Sequence, residues 1–133
     1  MGKGKIEMRM LLTRGLPGSG KSALATSVAK ERGGVVFSAD DFFTAADGTH
    51  RIDLSKVPEA HKAAQYHARA AAAAGAELII IDNTHTRQFE MLDYIRIAAN
   101  HGATDIGFLI PQTSWAWDAE ECARRTVHAV LLP

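Results

Sequence analysis

The chain has 133 residues, of which 47% are hydrophobic and 23% charged, and its formal net charge is zero. This length and hydrophobic content predict a single globular domain over residues 1–133. The balanced charge argues against a protein that relies on broad electrostatic attraction to nucleic acid. The single cysteine, Cys122, excludes an internal disulfide and favours a cytoplasmic location, and no apolar stretch is long enough to span a membrane.

Strand-like segments alternate with helix-like segments along the whole chain. In chain order, we predict strand Met8–Thr13, helix Lys21–Arg32, strand Val35–Phe37, helix Pro58–Ala74, strand Glu77–Asp82, helix Arg87–Asn100, strand Thr104–Ile110 and a helix from Thr113 to about Arg125. The third strand is apolar on both faces, as expected in the middle of a parallel sheet. The alternation therefore predicts an α/β fold with a parallel sheet of about four to five strands and right-handed crossovers.

A phosphate-binding motif follows the first predicted strand. Gly15–Ser22, with the sequence GLPGSGKS, satisfies the P-loop pattern G-x-x-x-x-G-K-[ST]. Glycines let the backbone direct successive N–H groups at phosphate oxygens, and the following helix adds its positive dipole end. Lys21 is expected to reach the β- and γ-phosphates, and the Ser22 hydroxyl to ligate Mg²⁺. The predicted nucleotide-binding residues are Gly15, Pro17, Gly18, Ser19, Gly20, Lys21, Ser22 and Ala23.

Acidic residues follow two of the other predicted strands. Asp82 ends the third strand in the apolar-run-then-acid pattern of a Walker B element, and we expect it to assist Ser22 in holding the metal. Asp40 and Asp41 follow the second strand at the same edge of the sheet. One interpretation of this pair is a loop or helix cap. The other is a carboxylate that positions an acceptor hydroxyl and accepts its proton, and the neighbouring P-loop favours it.

Five segments form a set that is more specific than the P-loop alone. They are GLPGSGKS at Gly15–Ser22, SADDFF at Ser38–Phe43, IIIDNT at Ile79–Thr84, PQTSW at Pro111–Trp115 and CARRTVHAV at Cys122–Val130. The set resembles the polynucleotide 5′-hydroxyl kinase-like branch of P-loop kinases, an AAA-type group that also includes zeta-toxin-like proteins. The resemblance covers the chain from about Met10 to Val130. It implies a P-loop NTPase fold of the nucleoside-kinase-like, three-layer type, with ATP and Mg²⁺ as cofactors.

The resemblance also implies roles for individual residues. Asp40 matches the general base that acts on the acceptor 5′-hydroxyl, and Asp41 takes a supporting place beside it. The segment Asp82–Thr84 matches the region near the γ-phosphate and the acceptor. Arg124 and Arg125 match the lid, where an arginine closes over the nucleotide and stabilises the transferring charge; the alternative is a solvated helix end. The candidate catalytic residues are thus Asp40, Lys21, Arg125 and Arg124.

Several positions depart from the family pattern. Phage relatives carry an arginine for the substrate phosphate shortly after the acidic pair, whereas this chain has Phe42–Phe43, with Arg51 and Lys56 the nearest basic candidates. His128–Val130 reads His-Ala-Val where members often have His-Gly-Val. Members usually continue with a further helix, and this chain stops at Pro133, so we expect a truncated or minimal domain with an incomplete lid.

The tryptophans and histidines carry weaker signals. Trp115 and Trp117 are predicted to be helix-packing aromatics rather than base-stacking residues. The six histidines have no spacing typical of a zinc-binding helix, and His85, after the third strand, is interpreted as a polar loop residue.

The leading functional hypothesis is ATP- and Mg²⁺-dependent phosphoryl transfer to the 5′-hydroxyl of DNA or RNA, with a nucleoside triphosphate as the other substrate. A small-molecule or nucleoside kinase is the second hypothesis, and a nucleotide-binding module with little transfer is the third. Phe42–Phe43 in place of a substrate-binding arginine favours the second or third. The carboxylate of Asp40 favours an enzyme over a passive binder.

Overall fold

The structure is a computed structural model in which residues 8–16, 18–44, 51, 53–83, 88–103 and 105–125 are described. Within these residues strands and helices alternate as predicted. They are β1 (Arg9–Thr13), α1 (Lys21–Arg32), β2 (Val35–Phe37), α2 (Val57–Ala73), β3 (Leu78–Ile81), α3 (Gln88–Asn100), β4 (Asp105–Leu109) and α4 (Ala119–Arg125). None of the helices in the described ranges is both long enough and apolar enough to cross a bilayer.

The four strands form one parallel sheet in the order β2-β3-β1-β4. In the centre, Leu11 of β1 lies opposite Ile80 of β3 on one side and Gly107 of β4 on the other. The chain leaves β1 for β2, beyond β3, and later leaves β3 for β4, beyond β1. The two crossovers diverge between β1 and β3, and ligands of open α/β sheets bind at the carboxyl ends of the strands at such a point.

The sheet separates two apolar cores and so confirms the predicted three-layer α/β fold. One face presents Met10, Leu12, Ile79 and Ile81 to α2 and α3. The other face presents Leu11, Leu78 and Ile80, which pack with Ala25 of α1. Because successive side chains of a strand point to opposite faces, the unbroken apolar runs of β1 and β3 supply both cores at once.

Helix α2 lies against the sheet through a row of small side chains. Ala60, Ala64 and Ala68 recur every four residues and are at most 2% exposed. Side chains at this spacing share one face of a helix, and alanine there lets the helix axis approach the strands closely. The alanine-rich composition thus serves close packing of the helix on the sheet.

Two segments differ from the predicted elements. The polar stretch after β2 contains a short 3-10 helix, Ala39–Phe43, which we call the acidic turn. The helix predicted from Thr113 is wrong over its first part, since residues 114–117 form a turn and α4 begins only at Ala119. The Asp118 carboxylate accepts a hydrogen bond from the Glu121 backbone N–H (3.1 Å), as an N-cap side chain does, and this sets the later start.

We expect Ala68→Leu to lower the free energy of unfolding by about 1–3 kcal/mol, because added methylene groups meet a filled core between α2 and the sheet. Urea denaturation followed by circular dichroism measures this change. Ala70→Leu, two residues away on the same helix but exposed to solvent, is the matched control and should unfold like the parent protein. Equal stability of the two variants would contradict the close helix–sheet packing.

Candidate active site

The connection between β1 and α1 forms an open cradle of backbone groups. Gly20, the N-cap of α1, has φ 101° and ψ 6°, a left-handed conformation suited to glycine. A Cβ added at Gly15 would lie 2.7 Å from Ser19 Oγ, so that position also requires glycine. Among the residues that the structure describes, no side chain caps α1, and the first turn of this helix contains no acidic residue. The first N–H groups of α1 are therefore available to an anion.

The residues of this cradle fit the phosphate groups of a nucleotide. The Ser19 hydroxyl is buried and has no hydrogen-bond partner within the described residues. A buried hydroxyl without a partner usually lowers the stability of a protein by about 1–3 kcal/mol. Stability alone therefore does not explain the conformation of this loop. Ser22 and Ala23 are exposed in the first turn of α1, where a bound phosphate and its cation would be reached. Pro17, also predicted to bind the nucleotide, lies outside the described residues.

A buried ion pair joins the P-loop to the end of β3. Lys21 Nζ lies 3.4 Å from Asp82 Oδ1, and each side chain is 9% exposed. The Thr13 hydroxyl lies 3.3 Å from the same carboxylate oxygen and donates to the Asn83 backbone carbonyl (2.7 Å). Buried ion pairs contribute little net stability because both charges lose hydration. This pair is better explained by chemistry that needs a cation and a carboxylate together.

The acidic turn is held in place by its own cap. Ser38 Oγ accepts a hydrogen bond from the Asp40 backbone N–H (3.1 Å), and Asp41 Oδ2 accepts one from the Ser38 N–H (3.3 Å). This reciprocal arrangement is a capping box. It accounts for the acidic pair in part as a helix cap, since Asp41 performs that role. Asp40 is half-buried in the same turn.

Asn83 ties the acidic turn to the rest of the sheet edge. Its side-chain oxygen accepts a hydrogen bond from the Ala39 backbone N–H (2.9 Å), and its amide nitrogen donates to the Tyr94 hydroxyl of α3 (3.3 Å). Tyr94 is fully buried, and burial raises the pKa of its phenol to about 12, so the hydroxyl stays protonated. Asn83 therefore fixes the turn that carries Asp40 relative to Asp82.

The segment Pro111–Trp115, which follows β4, braces the P-loop through two side-chain hydrogen bonds. The Thr113 hydroxyl donates to the Ser19 carbonyl (2.8 Å), and Trp115 Nε1 donates to the Gly18 carbonyl (2.9 Å). These bonds hold two P-loop carbonyls on the side of this segment. The prediction of two helix-packing tryptophans is wrong, because Trp115 bonds the P-loop from a turn and Trp117 is 68% exposed.

The two predicted lid arginines are held on α4. Arg124 and Arg125 both pair with Glu121, and Arg125 Nε lies 2.7 Å from Glu121 Oε2. The Arg125 guanidinium also lies over the Trp115 ring, 3.7 Å from its centroid, in a cation–π contact. The structure therefore connects Arg125 to the P-loop through Trp115 rather than through the Lys21–Asp82 pair.

Thr84, predicted to lie near the γ-phosphate and the acceptor, is outside the described residues, as are His85 and His128–Val130. Sequence reasoning did not find the bracing roles of Thr113 and Trp115. The only signal for them was the PQTSW segment, which the family resemblance singled out without a role.

A family model and a human protein each match most of the chain. A family model described as an AAA domain matches residues 10–129. NEDD4-binding protein 2 of Homo sapiens is 38% identical over 126 residues, a match that covers 94% of this chain but 7% of that protein. This chain therefore corresponds to a small part of that relative.

Solved structures of other proteins share the fold. A chain of the Pnkp1/Rnl/Hen1 complex, an RNA repair complex, matches 100% of this chain and 43% of its own length, with a TM-score of 0.69 and 22% identity. The APS kinase CysC of Mycobacterium tuberculosis, solved with AMPPNP and APS, matches 90% of this chain and 68% of its own, with a TM-score of 0.62 and 20% identity. At these identities the likeness concerns the fold.

We expect Asp41→Asn to stabilise the protein at neutral pH by a few tenths of a kcal/mol, a small amount because water screens the exposed residue. Partial desolvation raises the pKa of the Asp41 carboxyl above 3.8, and the carboxylates of Asp40 and Asp82 add to the rise. A raised native pKa means that the native state loses stability as pH rises through this window, and asparagine removes that loss. The advantage of the variant should therefore shrink as pH falls towards 3.8.

Urea denaturation of both proteins between pH 3 and pH 7 measures this difference. Asp53→Asn is the control of opposite sign, because hydrogen bonds from Ser55 lower the pKa of Asp53. That variant should lose stability at neutral pH and match the parent once pH falls below the lowered native pKa. A pH-independent difference for Asp41→Asn would contradict the raised pKa.

Proposed function

We propose a reaction for this chain from its membership of the AAA-domain family of P-loop kinase-like proteins. In this proposal the chain transfers the γ-phosphoryl group of ATP to a hydroxyl, specifically the 5′-hydroxyl of a DNA or RNA strand. Its single cysteine supports action in a reducing, cytoplasmic setting. The solved chain of the RNA repair complex, which is longer than this chain, supports a polynucleotide acceptor.

One observation carries this proposal. The hydrogen bond from the Ala39 N–H to Asn83 Oδ1 holds the acidic turn beside the residue that pairs with the P-loop lysine. A carboxylate-bearing turn and a phosphate cradle thereby share the carboxyl edge of the sheet. Phosphoryl transfer requires these two parts together, a site that holds the phosphates and a carboxylate that orients the attacking hydroxyl.

Each residue of the proposed site has its own role in phosphoryl transfer. The N–H groups at the start of α1 and the Lys21 ammonium would hold the phosphates, and Ser22 with Asp82 would hold Mg²⁺, which would supply countercharge. The oxygen of the acceptor hydroxyl forms the new bond to phosphorus while the bond from phosphorus to the leaving ADP oxygen breaks. Asp40 accepts the proton that this hydroxyl loses. Arg125 or Arg124 stabilises the transferring charge after release from Glu121.

A small-molecule or nucleoside kinase is the second candidate. Phe42, in the acidic turn, is 44% exposed, and its ring contacts Phe43 edge to face with centroids 5.3 Å apart. An exposed aromatic ring at the acceptor side suits a planar nucleoside as well as the terminal base of a strand. A nucleotide-binding module without transfer is the remaining alternative.

We expect the protein, with labelled ATP and Mg²⁺, to label a 5′-hydroxyl oligonucleotide. Asp40→Asn should lower kcat by about 10²–10⁴-fold because the general base is lost. Lys21→Ala should abolish detectable transfer because the phosphates lose their main cation. Asp105→Asn, which removes an exposed carboxylate at the amino end of β4, is the matched control and should retain activity.

A parallel panel of nucleosides and small hydroxyl compounds separates the alternatives. Transfer to a small acceptor alone would sink the polynucleotide proposal and favour the second candidate. Nucleotide binding with no label on any acceptor would favour the binding module.

We expect Trp115→Phe to weaken nucleotide binding by about 2- to 10-fold, the effect of one lost neutral hydrogen bond, because the Gly18 carbonyl loses its donor. Titration calorimetry with a non-hydrolysable ATP analogue measures the dissociation constant. Trp117→Phe alters an exposed ring outside these contacts and serves as the control. Unchanged affinity in Trp115→Phe would show that the bracing bond does not shape the P-loop.

A further inference from the structure

The solvent-facing side of α2 carries a pattern that packing does not explain. Lys62, Tyr66 and Arg69, which we call the α2 outer face, are all exposed and lie opposite the alanine row that contacts the sheet. Their spacing of four and three residues places them side by side on the helix surface. Tyr66 is 63% exposed, so a large ring between two cations remains in contact with water. Glu59, one turn before Lys62, is the acidic residue at the end of this face.

A row of rings connects this face to the acidic turn. The His67 ring stacks on Phe37, with centroids 6.1 Å apart and planes at 20°, and the Tyr66 ring meets His67 edge to face at 5.6 Å. Phe37 ends β2 and immediately precedes Ser38, the cap of the acidic turn. The His67 imidazole also lies near Asp41, where it offsets part of the rise that desolvation gives to the pKa of that carboxyl. The α2 outer face is therefore continuous with the acceptor side of the site.

We propose that the α2 outer face binds the single-stranded polynucleotide whose 5′ end enters the acidic turn, with an unpaired base stacked on Tyr66 and backbone phosphates at Lys62 and Arg69. The chemistry of the face selects this occupant. Exposed aromatic rings stack unpaired bases of any sequence, and flanking cations neutralise the adjacent phosphates. Because the chain has no net charge, such binding depends on a local pair of cations rather than on the whole molecule. This inference deepens the proposed function and rests on it for the identity of the acceptor.

Binding of a 3′-labelled, 5′-hydroxyl single strand of about 12 nucleotides, measured by fluorescence anisotropy without ATP, tests the inference. We expect Tyr66→Ala to weaken binding by roughly 5- to 100-fold, the range for one lost base–aromatic contact, and Tyr66→Phe to bind nearly as the parent. The double variant Lys62→Ala/Arg69→Ala should reduce the slope of log K against log salt by about 1.4, which corresponds to two phosphate contacts on a single strand.

The matched control is Lys30→Ala/Arg32→Ala, which removes two exposed cations from α1, on the other face of the sheet. This control should keep both affinity and salt slope. Circular dichroism verifies that each variant folds, and alanine at exposed positions of α2 favours the helix. Equal losses in the control and the α2 variants, or no loss in Tyr66→Ala, would overturn the inference. Duplex DNA or an acidic peptide competing as well as the single strand would also overturn it.

Kinetics separate this inference from the proposed function. If it holds, Tyr66→Ala raises KM for the oligonucleotide and leaves kcat and the KM for ATP unchanged. Phosphoryl transfer to the oligonucleotide with an unaltered KM in Tyr66→Ala would sink the inference and leave the function standing. Strand binding that depends on Tyr66, without transfer to any acceptor, would sink the function and leave the binding face standing.

Discussion

The arrangement of the site depends on the need of buried polar groups for partners. Three polar residues at the ends of β1 and β3 are less than 10% exposed, namely Thr13, Asp82 and Asn83. They lie where the apolar core ends and the candidate active site begins. Each such group would cost about 1–3 kcal/mol if left unpaired, so their mutual bonds restrict the ways in which this edge can be built. The Lys21 ammonium on one side and the Ala39 amide on the other complete the set. Phosphate cradle and acidic turn are thus positioned by one shared network.

The P-loop is also held by hydrogen bonds from residues that lie far from it in the sequence. A glycine-rich loop has high conformational entropy when unconstrained, and glycine contributes no side chain to hold it. The segment Pro111–Trp115 compensates with two side-chain donors aimed at P-loop carbonyls. With these carbonyls held on one side, the N–H groups at the start of α1 remain on the other, available to phosphates. The loop is preorganised from outside rather than by its own side chains.

Most of the fold could be predicted from the sequence because its determinants are local. The apolar runs of β1 and β3, the glycines that end α1 and α2 and the spacing of the P-loop all act within a few residues. The observed strands and helices confirm the predicted order of elements. The bond of Trp115 to Gly18 joins residues 97 positions apart, and no local pattern encodes it. The position of Arg125 over the indole depends on where that bond holds the Trp115 ring, so it is also a tertiary feature.

The stacking of Arg125 on Trp115 has a spectroscopic consequence. A guanidinium 3.7 Å from the ring centroid imposes a positive field on the indole, and the excited state of an indole is sensitive to such fields. Trp115 is joined at the same time to the P-loop through its ring nitrogen. One intrinsic chromophore therefore senses the phosphate cradle at its edge and the arginine of α4 at its face. The emission of this residue, with exposed Trp117 replaced by phenylalanine, can follow the coupling between them without an added label.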